Sequence, residues 1–326
     1  GLSGGVKAVA AGWYHSMALK QDGSAWATGR NNNGQLGDGT LIDKISFVQA
    51  FPGAVLAVAA CGFHSIVLRQ DGSVWAVGKN DFGQLGDGSN IEKHRFVKVV
   101  SVGAKAVSAG GEHSLVVKQD GSVWATGCNM YGQLGMQVFI TYRNIFVKTL
   151  SRGVETVAAG LEHSMVLNQD GSVWAAGMND RGQLGDGSST PKRGFVKVFA
   201  TDATAIAAGG YHSMVLKQNG KVWVTGDNTY GQLGDMSMIS KQKMQIIPDI
   251  HGAVAVAAGM SHSLVLRIDG SVWAAGKNNY GQLGYGTVIS TRIFVVVVTS
   301  GAQSVAAGAW HSMVMNEYGD ILATGA

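Results

Sequence analysis

The sequence predicts an all-β fold: a seven-bladed β-propeller of four-stranded antiparallel blades, one domain over residues 1–326, with the last blade short of one strand. Three observations carry this. A phrase that opens Ala10-Ala11-Gly12-Trp13-Tyr14-His15-Ser16 and runs to Gly29 occurs seven times, with its histidines His15, His64, His113, His163, His212, His262 and His311 spaced 49 or 50 residues apart. A fixed period of that size marks an array of equal structural units. Each copy holds short alternating runs separated by turn residues and no run with a helical period, which reads as radial repetition of small sheets. A length of 326 residues alone would point to about two domains of roughly 150 residues, but the unbroken repeat overrides that prior.

Within a copy the elements follow in order. The first strand is Val6 to Gly12, and its Ala-Ala-Gly end suits a place where chains converge without room for side chains. The second is Ser16 to Lys20, with Met17 and Leu19 on one face. Asp22-Gly23 between two alternating runs predicts a tight type I′ hairpin turn with positive φ at both residues. It returns at Asp71-Gly72, Asp120-Gly121, Asp170-Gly171 and Asp269-Gly270, with Asn219-Gly220 and Tyr318-Gly319 in the other copies. The third strand is Ala25 to Gly29. Its Trp26 recurs as Trp75, Trp124, Trp174, Trp223 and Trp273, gives way to Leu322 in the last copy, and reads as core filling.

Next comes Gly-x-Asn-x-x-Gly-Gln-Leu-Gly, at Asn31 to Gly37 and five further places. It reads as an ordered polar turn in which Asn tolerates left-handed φ and the Gln amide bonds backbone. With no Lys-Ser/Thr after it and no helix to open, it is not a phosphate loop. A variable loop leads to the fourth strand: Phe47-Val48, Phe96 to Val100, Phe146 to Leu150, Phe195 to Phe199, Gln245 to Ile247 and Phe294 to Val298. Lys98, Lys148 and Lys197 sit mid-strand, where a lysine guards an outer edge against pairing. Val295 to Val298 has no such guard. Six copies of this strand serve seven blades.

Bulk properties exclude more than they assign. The charged fraction is 14%, against a usual quarter, and the net charge of +4 is too mild to argue by itself for nucleic acid. No run of 18 apolar residues is present, so no membrane insertion through a helix is expected. Cys61 and Cys128 occupy non-equivalent places in different copies and are expected to be unpaired thiols. The sequence opens on Gly1 without Met, so a trimmed product is expected and no targeting segment is read.

The phrase Ala-Ala-Gly-x-x-His-Ser-x-x-Leu-x-x-Asp-Gly-Ser-Val-Trp-x-x-Gly-x-Asn-x-x-Gly-Gln-Leu-Gly-Asp-Gly resembles the repeat of the regulator of chromosome condensation family, over essentially the whole chain. The resemblance implies a seven-bladed propeller. It implies no single activity: members of the family include a guanine nucleotide exchange factor for a small nuclear GTPase that docks on nucleosomes, ubiquitin-ligase modules, a plant UV-B photoreceptor and β-lactamase inhibitors. Function therefore has to be argued from the site.

Neither catalytic residues, nor a cofactor site, nor a metal site is read from the sequence. Seven equivalent histidines on seven blades form a ring and do not converge on one point within about 2.1 Å, as a metal requires. His-Ser pairs without an orienting third group or an oxyanion site do not make a hydrolase. The histidines are expected to fix the loop by bonding to backbone. Asp38, Asp87 and Asp186 lack the carboxylate ladder of a calcium loop.

The copies differ most in three sets of positions. The first is the pair before each His: Trp13-Tyr14, Gly62-Phe63, Gly111-Glu112, Leu161-Glu162, Gly210-Tyr211, Met260-Ser261 and Ala309-Trp310. The second flanks the Asn and includes Arg30, Lys79, Cys128, Tyr131, Arg181, Asp227, Tyr230, Lys277 and Tyr280. The third is the loop after Gly-Gln-Leu-Gly, with Lys44, Lys93, Arg95, Arg143, Lys192, Arg193, Lys241, Lys243 and Arg292 opposed only by Asp43 and Glu92. The first set is rich in the residue types of interface cores. The expected function is a non-enzymatic scaffold that binds a protein partner through Trp13, Tyr14, Phe63, Glu112, Leu161, Glu162, Tyr211, Met260 and Trp310. The alternative is a guanine nucleotide exchange factor for a small GTPase, or a chromatin-docking regulator, acting through the basic rim.

Overall fold

The computed structural model describes Leu2 and residues 4–326. Seven antiparallel sheets stand around a ring, and no helix occurs among the described residues. Blade 1 consists of Val6–Ala11, His15–Lys20, Ala25–Gly29 and Lys44–Phe51, paired in that order. Blades 2 to 6 repeat the order, and blade 7 has three strands, Ala302–Ala307, His311–Asn316 and Ile321–Gly325. The first strands of neighbouring blades approach one another at the centre. Small residues make that approach feasible, since Ala257-Ala258 and Ala306-Ala307 end two of these strands. The ring closes as Ala309 N donates to Gly12 O and Val6 N to Gly319 O.

The core lies between blades more than within them. Met17, Leu19, Leu36 and Phe51 of blade 1 pack with Val55 and Val67 of blade 2. The tryptophans join this packing from the outside. Trp75 lies against the blade 1–2 core and Trp124 against the blade 2–3 core, both only partly buried. Their exposed faces are covered by cations: Lys98 over Trp75, Lys118 and Lys148 over Trp124, Arg267 over Trp273. The mid-strand lysine thus covers an indole face, a favourable contact worth about 0.5–1 kcal/mol at such sites. In blade 6 Val296 stands opposite Trp273 where blades 2 to 4 carry that lysine and blades 1 and 5 carry Gln49 and Ile246, and it is 42% exposed.

Two expectations are corrected. The Asp-Gly turns are not type I′. Only the glycine has positive φ, +81° at Gly23; Gly23 N donates to Lys20 O and Lys20 N to Ser24 O, so the loop has three residues, with Gly23 in the left-handed position. Asp22 instead accepts from the Ser24 amide and hydroxyl, and Ser24 Oγ accepts from Trp26 Nε1. The fourth strands also begin three or four residues earlier than the apolar pattern indicated, at Lys44, Lys93, Tyr142, Lys192, Lys241 and Thr291. An irregularity in register hides their start: Ala27 faces Val48, but Gly29 faces Lys44.

Candidate partner-binding face

Antiparallel pairing fixes where the variable residues go. Within a blade, strand 1 leads to strand 2 and strand 3 to strand 4 at the same end of the sheet, so all three variable sets emerge on one face of the ring. The pair before each His lies near the axis, and the loop after Gly-Gln-Leu-Gly lies at the outside. The expected anchors and the expected basic rim are therefore two concentric zones of a single face.

The repeated residues underneath are consumed by the framework. Each His Nε2 meets the Ser Oγ of the next blade: His15–Ser65, His64–Ser114, His113–Ser164, His163–Ser213, His212–Ser263, His262–Ser312 and, closing the circle, His311–Ser16, all at 2.8–2.9 Å. The partner is a side chain, not the backbone that was expected. The backbone enters one step later, as Ser65 donates to Gln35 O and Ser114 to Gln84 O. A hydroxyl has one hydrogen, already given to that carbonyl, so it accepts from the imidazole and fixes the Nε2–H tautomer. Nδ1 of His113 is buried without a partner against Gly110, where a Cβ would overlap the ring. Burial pushes the histidine pKa values down, to about 3 for His15, His113, His163 and His262 and to about 4 for His64, His212 and His311. These seven imidazoles are neutral joints.

The buried Asn of each loop acts similarly. Asn80 has an ordinary backbone conformation; its Oδ1 accepts from Leu85 N, and its Nδ2 donates to Asp87, Ser89 O and Ile91 O. Asp87 in turn pairs with Lys93 at 3.2 Å, and the same pair occurs at Asp38–Lys44, Asp186–Lys192 and Asp235–Lys241. Four of the nine rim cations are thereby neutralised within their own blade. In blades 3 and 6 both partners are replaced together, by Met136 and Tyr142 and by Tyr285 and Thr291. Arg193 lies over the Phe139 ring at 4.1 Å. Arg95, Arg143, Lys243 and Arg292 are in no ion pair among the described residues.

The inner zone is divided by chemistry. Phe63 meets Trp13 edge-on at 5.2 Å and stacks on Tyr14 at 6.0 Å, while Arg30 lies 5.3 Å over Tyr14 and Lys79 lies 5.9 Å over Phe63. Across the 6–7 boundary Trp310 packs edge-on against Tyr280 at 5.4 Å, and Lys277 sits over both Trp310 and Tyr230. Trp13, Leu161 and Met260 narrow the central opening. Blades 3 and 4 contribute acid instead. Burial, reinforced by Glu112 and Asp180, raises the Glu162 pKa, and burial with Glu162 raises that of Tyr211. Lys79 joins the sectors by reaching Glu112 at 3.1 Å. Of the nine expected anchors only Tyr14 is exposed, at 41%, and the others are half-buried. Cys128 and Asp227 are buried and add nothing to the surface, and both cysteines are free.

Arg30, Lys277, Tyr230 and Tyr280 belong to this zone as much as the expected anchors do. Their signal was their place beside the Asn, which the hairpin geometry brings against the pair before the next blade's His. The Asp–Lys pairs were also readable, as a spacing of six residues present or absent as a unit.

A closed ring of seven blades with a repeated framework and one variable face defines a repeat β-propeller. The RCC1-like domain matches residues 48–326, and the regulator of chromosome condensation (RCC1) repeat matches residues 6–35 and 22–68. The chain belongs to the RCC1 repeat family. No curated protein matches it. Among solved structures, human WBSCR16 is 23% identical with a TM-score of 0.86, covering 97% of this chain and 88% of its own. Prp20p from Saccharomyces cerevisiae, described with its binding to Gsp1p and histones, is 21% identical with a TM-score of 0.82, covering 93% and 80%. The same yeast protein bound to Kap60 gives 20% and 0.81, covering 98% and 80%. At these identities the likeness is one of fold. No helix of the described residues is long and apolar enough to cross a membrane.

Proposed function

We propose that this chain is a non-enzymatic scaffold that recognises a protein partner with the inner zone of its variable face. The observation that carries the reading is the pre-packed aromatic and cationic sector formed by Tyr280, Lys277 and Trp310 on one side and Trp13, Tyr14, Phe63 and Arg30 on the other. Rings already held by neighbours lose little entropy on binding, and such residues dominate interface energetics. The acidic sector around Glu112 and Glu162 gives the face an orientation, so a partner would present acid or polar groups to blades 7, 1 and 2 and basic groups to blades 3 and 4.

The experiment is capture from lysate at low and high salt. The chain is compared with a variant carrying Ala at Trp13, Tyr14, Phe63, Tyr211 and Trp310, with unchanged thermal unfolding as the folding control. A protein retained at high salt by the chain and lost with the variant supports the scaffold. A second reading, a small-GTPase exchange factor or chromatin-docking regulator, rests on Arg95, Arg143, Lys243 and Arg292, the rim cations with neither an ion pair nor an aromatic ring beneath them among the described residues. The likeness to Prp20p, described with its binding to Gsp1p and histones, also favours it. It predicts capture that collapses with salt, equal retention by the aromatic variant, and accelerated release of labelled GDP from a small GTPase.

A further inference from the structure

We propose that blade 6 carries a carboxylate-accepting position on the variable face, built by Gln282, Asn279, Ser290 and Lys277, and that the partner segment seated there is acidic. The inference rests on the scaffold reading above and names the partner's chemistry for one part of that surface. Blade 5 shows what the position holds when it is filled. There Asp227 stands just before the loop Asn. Its Oδ2 accepts from Gln232 Nε2 at 2.7 Å, and its Oδ1 accepts from Thr229 Oγ1 at 2.6 Å and Ser240 Oγ at 3.4 Å.

The loop glutamine is oriented alike in all six copies. Its Oε1 accepts from the backbone amide two residues earlier, that of Asn33, Phe82, Tyr131, Arg181, Tyr230 or Tyr280, at 2.9–3.1 Å. That bond fixes which end of the side chain is the donor, so Nε2 points to the place that Asp227 fills in blade 5. The donor is satisfied where an acceptor is at hand: the Cys128 sulfur for Gln133, Asp180 at 3.4 Å for Gln183, and Asp227 for Gln232. Where the residue before the Asn is Arg30, Lys79 or Lys277, Nε2 of Gln35, Gln84 or Gln282 is buried with no hydrogen-bond partner among the described residues. A buried amide donor without an acceptor, next to a cation, suits an anion.

Of these three, only blade 6 keeps the rest of the blade 5 set. Ser290 accepts from Asn278 N at 3.1 Å and donates to Asn279 Oδ1 at 3.3 Å, as Ser240 accepts from Asn228 N and donates to Asp227. Asn279 brings an amide to the place of Thr229. The other two copies carry acids instead. Asp43 holds the serine place in blade 1 and accepts from Asn31 N; Asp81 holds the threonine place in blade 2 and shares Lys79 with Glu112. Lys277 is in no ion pair among the described residues and lies 4.5 Å over Trp310 and 4.8 Å over Tyr230. Half-buried Lys277 and exposed Asn279 open the position to the face, above the fully buried Gln282. A second copy of the chain has no projecting carboxylate to offer from this zone, since Glu112 is held by Lys79 and Glu162 is half-buried. The occupant is a Glu or Asp of a partner segment, accepting from Gln282 Nε2 and the Asn279 amide, with Lys277 as counter-ion and Tyr280 and Trp310 beside it.

The test follows the glutamine side-chain amide resonances of the full chain as fluorescein-labelled octaglutamate is added. The expected result is a saturable shift of the Gln282 amide with the Gln232 amide unmoved, and no shift with octaglutamine. Lys277→Asp gives blade 6 the carboxylate that blade 5 carries natively, so its fold should be retained, with an unchanged Tm as the control. It should bring the Gln282 resonance close to that of Gln232 before any peptide is added and weaken octaglutamate binding at least about tenfold. Lys277→Gln should weaken it in the same direction. A Gln282 amide that octaglutamate leaves in place overturns the proposal, as does an equal shift in the Lys277→Asp chain. An equal shift with inorganic phosphate at the same charge concentration overturns it in favour of a general anion site, and a chain already dimeric through this position overturns it in favour of a second copy. Lysate capture separates this inference from the scaffold reading: a partner lost with the aromatic variant but retained by Lys277→Asp overturns the acidic segment and leaves the scaffold standing.

Discussion

A serine hydroxyl that accepts from one group and donates to another is difficult to replace, and this chain uses that geometry at every blade boundary. Ser114 accepts from His64 and donates to Gln84 O, with all three residues fully buried. Ser114→Ala leaves a donor and an acceptor without partners, each costing about 1–3 kcal/mol, so a loss near 3 kcal/mol is expected in urea unfolding. Ser16 has only the imidazole and is 8% exposed. Ser16→Ala should therefore cost clearly less, and equal losses for the two variants would contradict the assignment. The His-Ser dipeptide is visible seven times in the sequence, which marks it as structural. Its meaning was not visible, because His and its Ser partner lie about fifty residues apart, and the carbonyl that completes the chain belongs to a Gln side chain's own backbone. The same limit applied to Asn80, which was read as a turn former and is instead a buried amide holding five groups of its loop.

At the scale of the element, the strands were readable where alternation is clean and were misplaced where pairing is irregular. Ala25–Gly29 is as the pattern indicates; Lys44–Phe51 is longer because Lys44 pairs with Gly29 beyond a register irregularity that breaks the alternation. The outer loop is the element with the most to lose. Asn80→Ala removes the bond to Leu85 N and the donors to Asp87, Ser89 and Ile91. It should cost about 3 kcal/mol and accelerate amide exchange over residues 81–92 without spreading to the Asp71-Gly72 hairpin. By contrast Lys93→Ala breaks a surface ion pair with Asp87 and should cost under about 1 kcal/mol. The candidate face is also an element-scale result. Sequence variation located its positions, but only the hairpin geometry shows that Arg30, beside the Asn, lies over Tyr14, before the His. If the scaffold reading holds, Phe63→Ala should weaken partner binding about thirtyfold, equal to about 2 kcal/mol. Lys243→Ala at the rim should leave it nearly unchanged at physiological salt.

Across the whole molecule the histidines act together. Each has a folded-state pKa below that of the unfolded chain, about 3 to 4 against 6.5. The unfolded chain therefore binds more protons below pH 6.5, and stability is full above that value and falls as pH drops through it. At pH 5.5 each imidazole costs on the order of 1 kcal/mol, so seven together approach the stability of a typical fold. The carboxylates held below their ordinary range by hydrogen bonds, such as Asp22, Asp38, Asp87 and Asp186, act at lower pH than this window. The central claim is that the repeated histidines are neutral joints between blades, neither metal ligands nor a reacting set, so that function is left to the variable face. The most direct test is the free energy of unfolding from pH 7.5 to 5, followed with the imidazole nitrogen resonances of the folded chain. The expected result is a flat region above 6.5, a steep loss below it that corresponds to nearly seven protons taken up on unfolding, and folded rings that remain in the Nε2–H form throughout. Seven rings titrating near 6.5 in the folded chain, with stability unchanged between pH 6.5 and 5, would contradict it.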